Sequence, residues 1–275
     1  MLIACASGKN SCTAGGERPQ KLEWKMSADM QTLCGKRILI DEVSERAAPF
    51  RVDRLPENLN NQEKTQETVL SAKANLLSYV TECMNLSQKC KPRYGSCKSI
   101  ERACRHALVG SMMPDGSTTP STGVLVRASD EAVDKLFEDF ERAMAAWKTI
   151  EELMPKFTME GDTSFTPEEQ ARLLETMNQA QRDSVLPPHN LIYALAEACK
   201  GRRFFITKNH SYLGVAPDIT WPGDKICVIP GCCAPFIIRP KGDNYESLGE
   251  CYVAGLMDGE AMEQDEFPLQ LLVFE

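Results

Sequence analysis

The hydrophobic period of the sequence changes at Gly201, and this change constrains the fold more than any other feature. Before Gly201, apolar residues recur at steps of three and four, the period of α-helices that face a core. After it, short runs of β-branched and aromatic residues alternate with turn-forming residues, as in antiparallel strands. The predicted strands cover residues 203–207, 212–215, 225–229, 236–239, 245–254 and 267–274. Such short strands hide their edges by closing or by packing under helices, so we predict an α+β fold in which an N-terminal helical region precedes a small antiparallel β-barrel-like unit at the C-terminus.

The helical pattern before Gly201 divides into five segments. The strongest runs over residues 130–154, and Ser129 before it is a suitable N-cap. Thr166, Pro167 and Glu169 form a capping box that begins the next helix. The other helical patterns cover residues 62–88, 99–110 and 188–200, and residues 112–123 are predicted to form a loop.

The first 60 residues have weak periodicity and many polar residues, with breakers at Pro49 and Pro56. We predict that they are mostly disordered or irregular, apart from a short strand at residues 37–40. The chain is therefore divided into an irregular segment (1–60), a helical region (61–200) and an antiparallel β unit (201–275).

The sequence contains no membrane or export signal. The longest uncharged apolar stretch, residues 226–238, is interrupted by Pro230, Gly231 and Pro235, and it is shorter than the ~20 residues of a membrane helix. The first ten residues lack the basic start and apolar core of a signal peptide. We therefore predict a cytoplasmic protein that does not bind membranes.

Cysteines number 12 in 275 residues, which is too few for a disulfide scaffold. Four are spaced seven residues apart, but Pro92 and Gly95 interrupt the helix that would align them; they are Cys83, Cys90, Cys97 and Cys104. No CxxC pair of the kind that holds zinc is present. We interpret the thiols as reduced, small hydrophobic groups and predict neither a metal nor a cofactor.

A basic cluster lies within residues 89–105 of a chain with net charge −8; its members are Lys89, Lys91, Arg93, Lys98, Arg102 and Arg105. Such a cluster is one signature of nucleic-acid binding. Only Tyr94 offers a stacking ring, however, and an acidic chain is repelled by phosphate. We favour a solvated face that pairs with the acidic residues of the middle helices, and we predict no nucleic-acid partner.

Catalytic signatures are absent from the sequence. The histidines are His106, His189 and His210, and no HExxH, GxSxG, Walker or GxGxxG motif occurs. A nucleophilic pair of His210 with Cys227 or Cys251 stays open as an alternative, as do carboxylates at residues 258–260. We assign no catalytic residue.

The C-terminal part of the chain contains an ordered set of positions that we interpret as framework or recognition residues. They are Gly201, Arg202, Arg203, Gly214, Pro222, Gly223, Asp224, Pro235, Arg239, Gly249, Glu250, Tyr252, Gly255, Asp258 and Gly259. Among them, Arg202, Arg203 and Arg239 are expected to pair with Asp224, Glu250 or Asp258. With this set, the chain resembles the C-terminal region of fungal heterokaryon incompatibility (HET) domain proteins. The similarity is strongest over residues 201–260 and extends weakly back to about residue 100.

The resemblance implies a role in nonself recognition and cell-death signalling. The family's N-terminal HET domain has no recognisable counterpart here, so we expect a truncated paralogue, a regulator or decoy, or a fragment of a longer gene. The favoured hypothesis is a non-enzymatic accessory or regulatory module that binds a protein partner. The alternative is a small-molecule enzyme that uses thiol or carboxylate groups near the β unit.

Overall fold

The computed structural model describes residue 14 and residues 25–26, 33–50, 62–91, 100–114, 125–158, 166–185, 188–263 and 266–274. The chain divides into two compact units. The first contains residues 1–128 together with 195–275, and the second contains residues 129–194. Elements from the two ends of the sequence therefore share one unit.

The helices agree with the predicted segments to within a few residues. They are α1 (Gln62–Ser87), α2 (Ile100–Leu108), α3 (Asp130–Thr158), α4 (Pro167–Val185), α5 (Pro188–Cys199) and the unpredicted short helix α6 (Glu260–Glu263). The predicted capping box is confirmed, since Thr166 N donates to Glu169 Oε2 (2.8 Å) and Glu169 N donates to Thr166 Oγ1 (3.3 Å). The N-cap of α3 is also confirmed, since Ala132 N donates to Ser129 Oγ (3.2 Å).

In the second unit, α3 packs against α4. Phe137 and Phe140 on α3 are buried, as the width of the apolar stripe predicts. Acidic residues in the first turn of each helix complement the positive end of its dipole.

The strands include most of the predicted ones and several others. They are β1 (Lys25–Met26), β2 (Leu33–Arg46), β3 (Met112–Pro114), β4 (Leu125–Arg127), β5 (Arg202–Thr207), β6 (Leu213–Pro217), β7 (Lys225–Val228), β8 (Phe236–Lys241), β9 (Asn244–Glu250), β10 (Tyr252–Val253) and β11 (Leu269–Phe274). The prediction of one strand over 245–254 was wrong. The strand is interrupted at Cys251, whose N–H donates to Pro235 O (2.9 Å). As a result, β9 pairs with β8 and β10 pairs with β6. The predicted loop 112–123 begins with β3, which pairs with β4.

The largest difference from prediction is β2, a strand of 14 residues in the segment predicted to be mostly irregular. The short strand predicted at residues 37–40 is its middle. β2 pairs with β5, β7 and β11, all of which lie more than 150 residues later in the chain. Its stability therefore comes from distant partners and not from a strong local pattern.

The strand pairings form a cycle in the order β2, β11, β9, β8, β7 and back to β2, while β5, β6 and β10 continue from β2. The pairings are antiparallel except between β11 and β9, which run parallel. The α+β class is confirmed. The expectation of a wholly antiparallel unit built from residues 201–275 alone is corrected, because β2 completes the cycle and one pair is parallel.

Two apolar clusters lie on opposite faces of the paired strands. Neighbouring residues in β7 and β8 alternate between them, so that Ile226 and Ile237 belong to one cluster, and Cys227 and Ile238 to the other. Burial of both faces explains why these strands have continuous apolar sequences.

Candidate functional site

The connection between β6 and β7, residues 218–224, forms a loop that we call the tryptophan loop. Asp224 anchors it, with only 2% of its surface exposed. The Asp224 carboxylate accepts hydrogen bonds from Trp221 N (2.7 Å) and from Arg239 Nε and Nη2 (both 2.8 Å). Its backbone carbonyl accepts from Val43 N of β2 (2.8 Å). One buried residue thus ties the loop to β8 and to β2.

Two arginines also hold the loop through its carbonyl groups. Arg239 Nη2 donates to Ile219 O (2.8 Å), and Arg46 Nη1 donates to Thr220 O (2.8 Å). The hydrogen bond to the carboxylate raises the pKa of Arg239, so this side chain stays charged at every relevant pH. The loop backbone is therefore fixed from both sides.

This fixed loop exposes two large apolar side chains. Trp221 is 57% exposed and Ile219 is 52% exposed. The guanidinium carbon of Arg46 lies 3.5 Å from the centroid of the Trp221 ring, a cation–π contact. The loop therefore presents a preformed surface with an aromatic and cationic centre.

Positive charge dominates the area around Arg46. Burial lowers the pKa of Arg46, and the charges of Arg203 and Arg239 lower it further, while Asp224 opposes them. Within the described part of the chain, Arg203 Nε and Thr220 Oγ1 are buried polar atoms without a hydrogen-bond partner. Arg46 thus lies near two other guanidinium groups, and of the three only that of Arg239 forms hydrogen bonds with the Asp224 carboxylate in the described residues.

The predicted ion pairs are realised in part. The pair between Arg239 and Asp224 is confirmed. Arg202 reaches Glu250 through the backbone, since Arg202 Nη1 donates to Glu250 O (2.8 Å). Arg202 therefore fixes the end of β9 and leaves the Glu250 carboxylate out of this hydrogen bond.

The carboxylates of residues 258–260 have structural partners. Asp258 forms a two-pronged ion pair with Arg127 of β4, a residue that the sequence did not suggest. Asp258 N donates to Glu260 Oε2 (2.7 Å), and burial raises the pKa of Glu260. These contacts are those of a turn and helix start.

The glycines of the family motif mark backbone constraints. A Cβ on Gly214 would lie 2.1 Å from the carbonyl oxygen of Tyr252, so the pairing of β6 with β10 requires glycine there. Gly223 has φ +96°, and its N–H donates to Val43 O (2.9 Å). Four further motif positions have positive φ: Gly201, Gly249, Gly255 and Gly259. Pro222 is exposed in the loop, and Pro235 is buried.

Tyr252 also takes part in a buried polar chain. Its hydroxyl is 2.5 Å from Ser111 Oγ, which is 2.9 Å from His106 Nδ1. Ser111 has φ +51°, and its N–H donates to His106 O (2.8 Å). The chain joins the end of α2 to β10.

The residues of the alternative thiol enzyme, Cys227, Cys251 and His210, each have a different environment. Burial raises the pKa of Cys227 to about 12, and that of Cys251 still higher. The charge of Arg37 opposes this rise at Cys227, and the charge of Arg202 opposes it at Cys251, but burial has the larger effect on both thiols. His210 Nδ1 lies 3.6 Å from Glu266, and its ring packs edge-on against Phe267. The two thiols are therefore protonated and poor nucleophiles at neutral pH.

A second group of thiols, which we call the thiol cluster, is buried between α1, α2 and the end of α5. Its members are Tyr79, Cys83, Cys104 and Cys199. Cys199 Sγ donates to Leu108 O (3.2 Å), and burial raises the pKa of Cys104 and of Cys199 to about 12. Of the heptad cysteines, Cys97 lies outside the described residues.

The other sequence features have local contacts. Lys89 pairs with Glu45 of β2 (2.6 Å) and Arg105 with Glu101 of its own helix (2.5 Å), while Arg93 and Lys98 lie outside the described residues. Across the ranges that the structure describes, no cluster of three or more metal-ligating side chains occurs. Every helix in those ranges is too short or too polar to span a bilayer.

Sequence reasoning missed Arg46 and Trp221, the two residues at the centre of the loop surface. Trp221 carried a signal, because it directly precedes the turn residues Pro222 and Gly223. Arg46 carried none, because 174 residues separate it from Thr220, its hydrogen-bond partner.

Comparison with known proteins agrees with the resemblance found in the sequence. The family model of the Het-6 beta-barrel domain matches residues 60–270. A curated relative, "Heterokaryon incompatibility protein 6, OR allele" of Neurospora crassa, is 44% identical over 71 residues, which are 24% of this chain and 10% of that relative's length. The chain therefore matches only a small part of the length of this curated relative. No solved structure matches the chain.

Proposed function

The chain belongs to the Het-6 beta-barrel domain family, and we propose that it is a non-enzymatic recognition module of fungal heterokaryon incompatibility that binds a protein partner through the tryptophan loop. In this proposal the module acts in the cytoplasm and regulates a cell-death effector without being one. The five-strand cycle of β2, β11, β9, β8 and β7 is the proposed barrel.

One observation carries the proposal, namely the exposure of Trp221 on a loop whose backbone is fixed. Large apolar side chains on a mobile loop lose conformational freedom when they bind. The hydrogen bonds from Arg239 and Arg46 have ordered this loop in advance. Tryptophan and arginine are also enriched among the residues that dominate binding energy at interfaces.

The residues of the alternative function support it less well. Cys227 and Cys251 are buried, and the Asp258 carboxylate is engaged by Arg127. A reaction at these groups would require the protein to open. The recognition surface needs no such change.

The proposal is tested in the fungus that encodes the protein. The gene is deleted, then restored as wild type, as Trp221→Ala or as Leu174→Ala, and the survival of fused cells is scored after contact with an incompatible strain. Leu174 is the matched control, because it is 53% exposed on α4, outside the loop.

We expect Trp221→Ala to behave like the deletion and Leu174→Ala like the wild type, at equal protein levels. A deletion strain with normal incompatibility, or full restoration by Trp221→Ala, would contradict the proposal.

A further inference from the structure

The chemistry of the tryptophan loop indicates what kind of partner segment it fits. Trp221 and Ile219 supply apolar area, and more than half of each side chain is exposed. The Arg46 guanidinium lies over the Trp221 ring. A segment that covers this surface therefore contacts an aromatic ring and a cation together.

Two carboxylates belong to the loop: Asp218 is exposed at its start, and Asp224 forms no hydrogen bond with Arg46 in the described residues. Asp224 is buried, and its oxygens accept from Arg239 and from the loop backbone. In the described part of the chain, Arg46 makes one hydrogen bond, from Nη1 to Thr220 O. Since a guanidinium has five N–H groups, most of the donors of Arg46 are available to another acceptor.

Arg203 adds to the positive charge beside Arg46. It lies on β5 two residues before Phe205, which is the register partner of Arg46, so both arginines project from the same side of the β2–β5 pair. The charge of Arg203 lowers the pKa of Arg46, which places the two guanidinium groups within electrostatic reach of each other. A carboxylate that approaches Arg46 is therefore attracted by both cations.

We infer that the tryptophan loop binds an acidic segment of the partner protein, in which carboxylate side chains alternate with apolar ones. The carboxylates pair with Arg46 and Arg203, and the apolar side chains cover Trp221 and Ile219. This inference rests on the proposed function and specifies its partner.

Charge makes the surface selective. The chain has net charge −8, so its overall charge repels an acidic partner, and binding of such a partner requires a local excess of cations. Near the loop, Glu246 adds its charge to that of Asp224 around Arg239, which concentrates the excess at Arg46 and Arg203. A basic segment would leave both guanidinium groups facing like charges.

The test measures the affinity of the full chain for three labelled peptides by fluorescence anisotropy. The first alternates glutamate with leucine, the second lysine with leucine, and the third glutamate with serine. We expect the glutamate–leucine peptide to bind most tightly, and its affinity to fall as salt is added. Equal or tighter binding of the lysine–leucine peptide, or no binding of the glutamate–leucine peptide, would overturn the inference.

Variants then locate the binding on the loop. We expect Trp221→Ala and the double variant Arg46→Gln/Arg203→Gln each to weaken binding of the glutamate–leucine peptide by about tenfold or more. Arg142→Gln is the charge control, because Arg142 is an exposed arginine paired with Asp139 on α3. Arg46→Lys keeps the charge without the planar guanidinium, so we expect it to restore part of the affinity.

The outcomes separate this inference from the proposed function. If Trp221→Ala does not restore incompatibility in the deletion strain and the glutamate–leucine peptide does not bind, the loop recognises a partner of different chemistry and the inference is wrong. If Trp221→Ala restores incompatibility fully, the proposed function is wrong. Thermal unfolding of each variant shows whether lost binding reflects lost folding, and unchanged peptide affinity in the folded arginine variants also contradicts the inference.

Discussion

The tryptophan loop and the thiol cluster differ in the role of their buried polar groups. In the loop, the buried Asp224 carboxylate accepts three side-chain or backbone hydrogen bonds, while Trp221 is exposed. In the thiol cluster, the side chains of Cys83, Cys104 and Cys199 are buried, and burial raises the pKa of each thiol. In the loop, hydrogen bonds to a buried carboxylate fix the backbone beneath an exposed side chain. In the cluster, the thiols pack as part of the protein core.

In this chain the reactivity of a residue type is a poor guide to its function. Cysteine is a reactive residue type, and the chain has 12 of them, but a neutral buried thiol packs much like a small hydrophobic residue. A buried carboxylate must be paired, so its partners define a fixed structure. We therefore expect the loop and the cluster to respond differently to substitution and to pH.

Removal of the loop's anchor has the largest expected effect. Asp224→Ala leaves Arg239 without its carboxylate and frees Trp221 N, so we expect a loss of about 3 kcal/mol in the free energy of unfolding. Urea unfolding measures it. Asp258→Asn is the matched control, because its pair with Arg127 is partly exposed and we expect a loss below about 1 kcal/mol. Equal losses of stability in the two variants would mean that Asp224 contributes no more to folding than a partly exposed ion pair does.

Substitution of Gly223, which has a positive φ, is expected to cause the next largest loss of stability. Gly223→Ala places a side chain at φ +96° with no atom within 4 Å of the new Cβ, so its cost is backbone strain alone. We expect a loss of about 2 kcal/mol if the loop is fixed, again by urea unfolding. A mobile loop would relax, and then the variant would be as stable as the wild type.

The thiol cluster makes the stability of the protein depend on pH in the alkaline range. The folded-state pKa of Cys104 and of Cys199 is about 12, above the ordinary value of 9.0. Their contribution to stability is fully present below about pH 9 and is lost as pH rises toward 12, because the unfolded thiols ionise first. The free energy of unfolding should fall by about 1.4 kcal/mol per pH unit for each thiol in that range.

Other groups also ionise above pH 9, so the measured quantity is a difference. Cys104→Ala should have a shallower fall of stability with pH than the wild type, while Trp221→Ala should have the wild-type slope. A wild-type slope in Cys104→Ala would mean that this thiol is accessible and that the cluster is not core.

The smallest expected effect on stability belongs to the exposed centre of the loop. Trp221→Ala removes one cation–π contact with Arg46, so we expect a loss of about 1 kcal/mol or less. Thermal and urea unfolding check this. A loss as large as that of Asp224→Ala would mean that Trp221 supports the fold and is not presented for binding.

The sequence predicted the parts of the fold that local pattern specifies. The helices and most C-terminal strands were found, because each has its own periodicity and turn residues. β2 was not, because its partners β5, β7 and β11 lie far along the chain and its polar residues, such as Arg37 and Asp41, are buried in the folded protein. Long-range pairing leaves little trace in a local pattern.

The candidate site was predicted only as a set of motif positions. Gly223, Asp224 and Arg239 were singled out, and the structure places Arg239 of β8 against the loop that contains the other two. The resemblance did not indicate Arg46, which precedes the matched family region at residues 60–270. The geometry that makes the surface depends on a contact between the two ends of the sequence.

Hydrogen exchange at the amides of the tryptophan loop tests the central claim, that the loop is a fixed structure which presents Trp221. The N–H groups of Thr220, Trp221, Gly223 and Asp224 all donate to protein acceptors. We predict that they exchange at least about a hundredfold more slowly than in an unstructured peptide, and that Asp224→Ala abolishes this protection. Unprotected exchange of these amides in the wild-type chain would contradict the account.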